Sequence, residues 1–348
     1  MKIKTNCRFY KGDIPCKFHK EKGVHCDNCE YYKEVSKRIL IIKFGAAGDV
    51  IRTTPILRRL KEIYPDSEIT WLSIFPELLP SIVDYPMKFE LSNVVSLLGD
   101  KFDILYNLDK DKETCSLARL ISADIKKGFI LKDGKCSSID KDAEHKFLTG
   151  LWDDIEKANK KHYVEEIFEV CGFNFSGEKY ILELKGKSPE LPKLKGRIVG
   201  LNTGCGGRWE TRNWSEENWV TLAKKLKSAG FIPLLLGGPQ EDEKNKRIKT
   251  KSGAEYWGTF SLKDFLWVVN VCEVVVTQVT MALHIAIGFE KKIILLNNIF
   301  NRNEFELYGL GEIIEPELDC LGCYKSKCEK DCMSIILPEK VLEKCIKL

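Results

Sequence analysis

Eight of the fourteen cysteines fall into two groups of four whose spacing is typical of metal sites. Four thiolates that include a close CxxC pair suit tetrahedral Zn²⁺, so the first group predicts a structural zinc ion, with an iron–sulfur cluster as the alternative. The second group is compact enough for one further metal. Free thiols are the remaining interpretation of both groups. The cysteines are Cys7, Cys16, Cys26 and Cys29 in the first group, and Cys320, Cys323, Cys328 and Cys332 in the second.

A glycine-containing loop is the second candidate for chemistry. Gly45 and Gly48 allow a sharp turn after the apolar run at residues 39–42, and Asp49 lies at the mouth of the helix that follows. Open α/β sheets bind ligands at the carboxyl ends of their parallel strands, so Asp49 is a candidate for binding or catalysis. A helix-capping aspartate is the alternative. The loop lacks the GxGxxG pattern, which disfavours a nicotinamide dehydrogenase.

The elements around this loop alternate between strand and helix. Residues 39–42 and 69–72 are apolar in the way that buried strands are, and residues 53–63 carry apolar side chains at helical spacing. Further strands are predicted at residues 94–97 and 104–108. Such alternation predicts a parallel sheet with right-handed connections.

The alternation restarts after residues 186–196, a stretch rich in Pro, Gly and Lys that is interpreted as an interdomain linker. Ser215 and Gly230 fit the two caps of a helix in this second half. Helices are also predicted at residues 261–270 and 280–288, and strands at residues 197–204, 231–238, 273–277 and 293–296.

The length of the chain and the distribution of its charge indicate how many domains it contains. The 348 residues exceed what one compact core usually organises, so two domains are predicted after a small N-terminal piece. That piece holds ten Lys or Arg against five Asp or Glu, whereas the remainder is close to neutral. The predicted boundaries are residues 1–38 for a Cys-rich module, 39–185 for a first Rossmann-like domain, and 197–348 for a second one that ends in a Cys-rich tail.

The segment ILIIKFGAAGDVIRTTPILRRLKEIYPDSEITWL resembles the opening of the family 9 glycosyltransferases, the ADP-heptose:lipopolysaccharide heptosyltransferases and their relatives. The resemblance continues in NTGCGGRW, RNWSEENW, LLLGGPQED, TMALHIA and ELYG, and covers roughly residues 38 to 335. It implies an α/β fold of the GT-B type, in which two Rossmann-like domains face a central cleft. The acceptor would bind the first domain and the nucleotide-sugar the second. It also implies an inverting transfer that uses no catalytic metal.

The resemblance implies roles for individual residues as well. Asp49 would be the base that removes the acceptor proton, Arg212 would meet the donor diphosphate, and Glu241 would accept hydrogen bonds from the ribose hydroxyls. Each role has an alternative that stays open. The arginines could be solvated surface charges and Glu241 an acid at a helix N-terminus. Gly204 could belong to an ordinary turn, and His284 could be a core histidine. The expected nucleotide-sugar ligands are Gly48, Thr203, Gly204, Arg208, Arg212, Gly238, Glu241, Thr280 and His284.

The chain departs from the family pattern at two places. It reads Val279-Thr280-Met281 where the family has Asp-Thr-Gly or Asp-Ser-Gly, and residues 297–300 replace the usual Phe-Gly-Pro. The missing acid is the one that touches the donor sugar, so the identity of the sugar is left open.

The composition and charge of the chain limit the classes of binding partner and the cellular locations that are expected. A net charge of +4 is too small for a dedicated nucleic-acid binder, and no apolar run reaches the roughly 18 residues of a membrane span. The first residues lack a secretory h-region, so a cytosolic location is predicted, with a peripheral position at the inner membrane as an alternative.

The function predicted from these observations is inverting transfer of a heptose or related sugar from an ADP-heptose-like donor to a glycolipid or saccharide acceptor. A non-catalytic nucleotide-sugar-binding or metal-containing scaffold protein is one alternative, and a nucleotide-sugar epimerase is another.

Overall fold

The computed structural model describes residues 2–207 and 209–348 and contains two largely parallel sheets. In the first sheet every neighbouring pair is parallel except the last, which is an antiparallel hairpin. The strand order 3-2-1-4-5-6 follows from helical connections that lead first to one side of the central strand and then to the other. The strands are β1 (Arg38–Ile42), β2 (Glu68–Ser73), β3 (Tyr85–Lys88), β4 (Lys101–Asn107), β5 (Ser122–Lys132) and β6 (Lys135–Ser138).

Helices cover both faces of this sheet, which explains why β1 is apolar at consecutive positions and has four fully buried residues. The helices of this half are α1 (Lys17–Lys22), α2 (Ala47–Thr53), α3 (Ile56–Ile63), α4 (Leu91–Leu98), α5 (Lys112–Leu120), α6 (Glu144–Thr149), α7 (Asp153–Ala158) and α8 (Tyr163–Val170).

The second sheet is parallel throughout and has the order β11-β10-β9-β7-β8. Ser215 caps its first helix through a hydrogen bond that its Oγ accepts from the Asn218 amide at 3.1 Å, and Gly230 follows that helix at φ +85°. Both predicted caps are thereby confirmed. The elements are β7 (Ile198–Asn202), α9 (Glu216–Ser228), β8 (Ile232–Leu236), α10 (Asp242–Ser252), α11 (Leu262–Asn270), β9 (Val274–Gln278), α12 (Met281–Gly288), β10 (Lys292–Leu296), β11 (Gly311–Ile314) and α13 (Pro338–Lys347).

One predicted strand of the first half is wrong, and one predicted helix begins later than expected. The strand predicted at residues 94–97 lies within helix α4, because Val94 and Leu97 recur at helical spacing and pack on the core, and β3 already occupies the sheet edge. The helix predicted over residues 53–63 is present as α3 but begins at Ile56, because Thr53 is the last residue of α2. Pro55 has no amide hydrogen to continue the helical ladder, and the Thr54 hydroxyl donates to the Ile51 carbonyl at 2.7 Å.

Each sheet has a position where the connections change direction, between β1 and β4 in the first and between β7 and β9 in the second. The carboxyl ends of these strands form the crevices in which such sheets bind ligands. Residues 171–197, all of them described, form no helix or strand between the two sheets. Among the described residues, no helix is long and apolar enough to cross a membrane.

Candidate functional site

Asp49 lies at the third position of α2, directly above the carboxyl end of β1. Its Oδ2 accepts a hydrogen bond from the Ala46 amide at 3.2 Å, and its Oδ1 lies 2.9 Å from Nε of Arg52. Burial alone would raise the pKa of Asp49, but the charges of Arg52 and Lys43 hold that pKa well below its ordinary value. The carboxylate is therefore ionised, and 30% of the side chain remains exposed to the cleft.

Arg52 connects this carboxylate to the other half of the chain. A guanidinium nitrogen donates to Oε1 of Glu304 at 2.9 Å, and the guanidinium carbon lies 3.5 Å from the centroid of the Tyr163 ring. Arg52 is 9% exposed, so its charge depends on both carboxylates for compensation. Because Glu304 remains as a partner, Arg52 can release Asp49 without becoming an unpaired buried charge.

A second buried ion pair lies beneath Asp49. Lys43 follows β1 and Asp109 follows β4, and the ammonium of Lys43 donates to the Asp109 carboxylate. Asp109 also accepts from the Phe44 amide. Burial alone would lower the pKa of Lys43, but Asp109 raises it above the ordinary value. The pair ties together the two strand ends at which the first sheet changes direction.

Helix α2 of the first half packs closely on α12 of the second. A Cβ added at Gly48 would lie 2.6 Å from Cδ2 of His284 and 3.4 Å from Cα of Met281. His284 is 5% exposed, and its Nδ1 lies 3.4 Å from the hydroxyl oxygen of Tyr180. Burial lowers the pKa of His284 to about 3, with the Arg52 charge acting in the same direction. The imidazole is therefore neutral at physiological pH.

The start of α12 faces the same region as Asp49. Thr280 caps the helix, since its Oγ1 accepts a hydrogen bond from the Ala282 amide at 3.2 Å. The amide of Asn202 donates to Oγ1 of Thr280 at 3.1 Å and to Oγ1 of Thr277 at 3.0 Å, so the ends of β7 and β9 are joined. The positive end of the helix dipole at the start of α12 favours an anion there.

Four predicted donor ligands converge beside β7 and β8. Oε2 of Glu241 accepts from the Gly238 amide at 2.9 Å, and a Cβ at Gly204 would lie 2.1 Å from the Glu241 carboxyl group. Thr203 is fully buried, and its hydroxyl donates to Oδ1 of Asn245 at 2.6 Å. The buried Thr203 thus stabilises the loop after β7 through its hydrogen bond to Asn245. The Glu241 carboxyl group packs directly against the backbone of Gly204.

Arg212 is buried between the loops that follow β7 and β9. It donates to the carbonyl of Cys205 at 2.6 Å and to the carbonyl of Val279, and its guanidinium carbon lies 5.4 Å from the Phe300 ring centroid. Its Nε has no hydrogen-bond partner in the part of the chain that the structure describes. Arg212 is 9% exposed, so it is a buried cation at the switch point of the second sheet and not a solvated surface charge.

Arg208 falls outside the described residues. The two cysteine groups lie outside this arrangement. The cysteine groups flank the sheets, and over residues 2–207 and 209–348 no three His, Cys, Asp or Glu side chains stand together as they would around a bound ion. In the C-terminal group, Sγ of Cys332 accepts from the Asn298 amide at 3.0 Å, and burial raises the pKa of that thiol. A metal in this group stays a prediction.

The structure also adds residues that the sequence analysis did not select. Lys43 is the first residue after β1 and Asp109 the second after β4, so a charged residue close after each of two neighbouring strands was a signal that the sequence contained. Glu304 carried no such signal, because it lies 252 positions from its partner Arg52. Lys244, which donates to the Thr203 carbonyl at 2.6 Å, was likewise recognisable only from the fold.

We expect Gly48→Ala to destabilise the contact between α2 and α12. The added methyl group would meet the buried His284 ring at 2.6 Å, and overpacking of this kind costs about 1–3 kcal/mol. Urea unfolding measures the effect, with Gly99→Ala as the matched control because a Cβ at Gly99 meets only atoms at 3.7 Å or beyond. Equal stability of the two variants would show that α2 and α12 do not require a glycine.

Comparisons with known proteins show the family to which the chain is related. The model of glycosyltransferase family 9 (heptosyltransferase) matches residues 94–332. Over 111 residues the chain is 28% identical to the lipopolysaccharide core heptosyltransferase OpsX of Haemophilus influenzae. That alignment covers 28% of this chain and spans 31% of the length of OpsX.

Solved structures match over nearly the whole chain. A family 9 glycosyltransferase from Veillonella parvula has a TM-score of 0.65 at 20% identity, with 90% of this chain and 97% of that chain covered. The E. coli heptosyltransferase WaaC with ADP-2-deoxy-2-fluoro heptose has a TM-score of 0.62 at 17% identity, with coverages of 89% and 99%. Such similarity confirms the predicted α/β fold of the GT-B type. Since the family model spans more than half of the residues, from α4 through the C-terminal cysteines, the chain belongs to glycosyltransferase family 9.

Proposed function

We propose that the protein transfers a heptose or related sugar, with inversion, from an ADP-heptose-like donor to a glycolipid or saccharide acceptor. The observation that carries the proposal is the approach of two strand-end loops across the cleft. Asp49 follows β1 of one sheet, and the start of α12 follows β9 of the other, with Gly48 and Met281 in close approach. A base for the acceptor and an anion site for the donor thus lie side by side.

The proposed reaction is a single displacement at the anomeric carbon of the donor. The acceptor oxygen attacks the anomeric carbon from the face opposite the diphosphate, and its proton passes to a carboxylate oxygen of Asp49. The bond from the anomeric carbon to the diphosphate oxygen breaks, and its electron pair stays on that oxygen. The growing charge would be met by the amides at the start of α12 and by Arg212.

The low pKa of Asp49 affects how readily its carboxylate takes up the acceptor proton. A carboxylate paired with Arg52 is a weak base, because protonation would have to overcome the attraction of the guanidinium. Glu304 offers Arg52 a second carboxylate. We therefore assign Arg52 the role of a positioning residue that shifts toward Glu304 when the acceptor approaches Asp49.

The ligand of one solved structure and the name of one relative support an ADP-heptose-like donor and a lipopolysaccharide-type acceptor. WaaC was solved with ADP-2-deoxy-2-fluoro heptose, and OpsX is named for lipopolysaccharide core. In this chain Val279 stands where the family has an acid, and its carbonyl accepts from Arg212. The proposal therefore keeps the diphosphate site at Arg212. The identity of the transferred sugar is to be determined by experiment. A lipid-linked acceptor would place the protein at the inner face of the membrane.

Donor screening followed by product analysis tests the proposal. Thermal-shift measurements with ADP-, GDP-, UDP- and CDP-sugars should single out ADP-sugars, since a donor at 100 times its Kd adds about 2.7 kcal/mol to stability. Transfer to a saccharide acceptor is then followed by mass spectrometry, and the anomeric configuration of the product by NMR. Donor binding without any transfer would favour a non-catalytic nucleotide-sugar-binding protein, and epimerised donor in the absence of an acceptor would favour an epimerase.

A further inference from the structure

The N-terminal segment, residues 2–38, has no core of its own. None of these residues is buried, and the regular structure among them consists of the six-residue helix α1, one 3₁₀ turn at Cys26–Asn28, a single antiparallel β-bridge between Cys7 and Glu34, and the first residue of β1. Segments below about 40 residues rarely fold without a metal, a disulfide or a partner surface. The four cysteines of the segment are free thiols. Disulfides therefore do not supply the missing stability.

Every cysteine and histidine of the segment lines one cavity of about 270 Å³. Aromatic rings form its apolar wall, with Phe18 stacked on Tyr31 at 4.2 Å and Phe9 edge-on to Phe18 at 4.8 Å. An apolar wall around thiols excludes water from thiolate–metal bonds. The lining residues that can ligate a metal are Cys7, Cys16, Cys26, Cys29, His19 and His25.

The backbone turns at each of the four cysteines. The Cys7 carbonyl accepts from the Tyr10 amide at 2.9 Å, Cys16 is the N-cap of α1, and Cys26 and Cys29 bracket the 3₁₀ turn. A tight turn brings both thiols of a CxxC pair to the same side, as tetrahedral metal sites require. Three separate turns thus direct their thiols toward the same cavity.

Arg8 docks the segment on the amino ends of the strands. Its guanidinium donates to Asp84 at 2.6 Å and to the carbonyls of Asp66 and Ser67 at 3.0 and 2.8 Å. These residues immediately precede β3 and β2, whereas Asp49 follows the opposite end of β1. A five-residue strand separates the two ends by roughly 16 Å, so the segment does not contribute to the cleft.

We propose that Cys7, Cys16, Cys26 and Cys29 hold one metal centre through four thiolates, with zinc as the first candidate. The centre replaces the core that the segment lacks and keeps it folded against the amino edge of the first sheet. Since no three of these ligands yet stand as they would around an ion in the described residues, binding must draw the thiols inward. No buried side chain within the segment opposes that contraction. This inference is independent of the transfer reaction.

Metal analysis of the full-length protein, purified anaerobically without chelators, tests the inference. We expect the double variant Cys26→Ser/Cys29→Ser to contain about one metal equivalent less than the wild type. The matched control is Cys136→Ser, which alters a half-buried free cysteine outside both four-cysteine groups and must leave the metal content unchanged. Zinc without a visible absorption band identifies a single ion, and iron with sulfide and a visible band identifies a cluster on the same four thiolates.

A measurement on the wild-type protein keeps the inference testable if the variant does not fold. Displacing the metal with a mercurial reagent should make residues 2–38 at least about tenfold more sensitive to protease, because metal binding and folding of such a segment are coupled. Donor affinity should be unchanged in the same sample. Metal content that is equal in the double variant and the wild type, or two disulfides among the four cysteines, would overturn the inference.

Discussion

Asp49→Asn should lower the rate of sugar transfer by about 10²–10⁴, the usual contribution of a general base. The asparagine keeps the shape of the side chain but cannot take up the acceptor proton. The fold should survive the change, because Arg52 retains Glu304 as a partner at 2.9 Å. Donor binding should also be nearly unchanged, since the aspartate acts on the acceptor. Steady-state kinetics and donor calorimetry measure the two effects separately.

Asp111→Asn is the matched control for this substitution. Asp111 follows β4 at the same edge of the sheet, but it is exposed and its side chain does not cap α5. The control should transfer sugar at the wild-type rate. Wild-type kcat in Asp49→Asn would remove the aspartate from the mechanism, while an equal loss in both variants would indicate a general effect of charge at this edge.

Arg212→Ala should weaken binding of both the nucleotide-sugar and the free nucleoside diphosphate. A charge-assisted hydrogen bond to the diphosphate is worth about 1.5–3 kcal/mol, which corresponds to roughly a 10- to 150-fold increase in Kd. The substitution also removes the donor that the carbonyls of Cys205 and Val279 share. We therefore expect some loss of thermal stability in addition to the loss of affinity.

Two controls separate these effects. Arg212→Lys keeps the positive charge and should recover part of the affinity, whereas Arg247→Ala removes an exposed arginine that pairs with Glu216 on the outer helices. Calorimetry with the free diphosphate is the measurement that decides. Unchanged affinity in Arg212→Ala, together with reduced stability, would mean that Arg212 only fastens the loops after β7 and β9.

Much of the architecture could be predicted because it is encoded locally. The apolar run at residues 39–42, the caps Ser215 and Gly230, and the position of Asp49 after a strand depend on neighbours in sequence. Periodicity and capping residues reveal such features. The prediction for residues 94–97 was wrong for a related reason: a short apolar run fits a strand or a helix, and competition for the sheet edge decides between them.

The relations across the cleft were decided by tertiary structure alone. Gly48 was predicted to be a turn glycine and a nucleotide-sugar ligand, and the fold shows in addition that its lack of a Cβ lets α12 pack against α2. Arg212 was expected to be a phosphate ligand, and the fold also makes it the link between two strand-end loops. Arg52 and Glu304 are 252 positions apart and meet only because the two sheets face each other. No periodic pattern encodes such a pairing, since it depends on how two separately folded sheets pack.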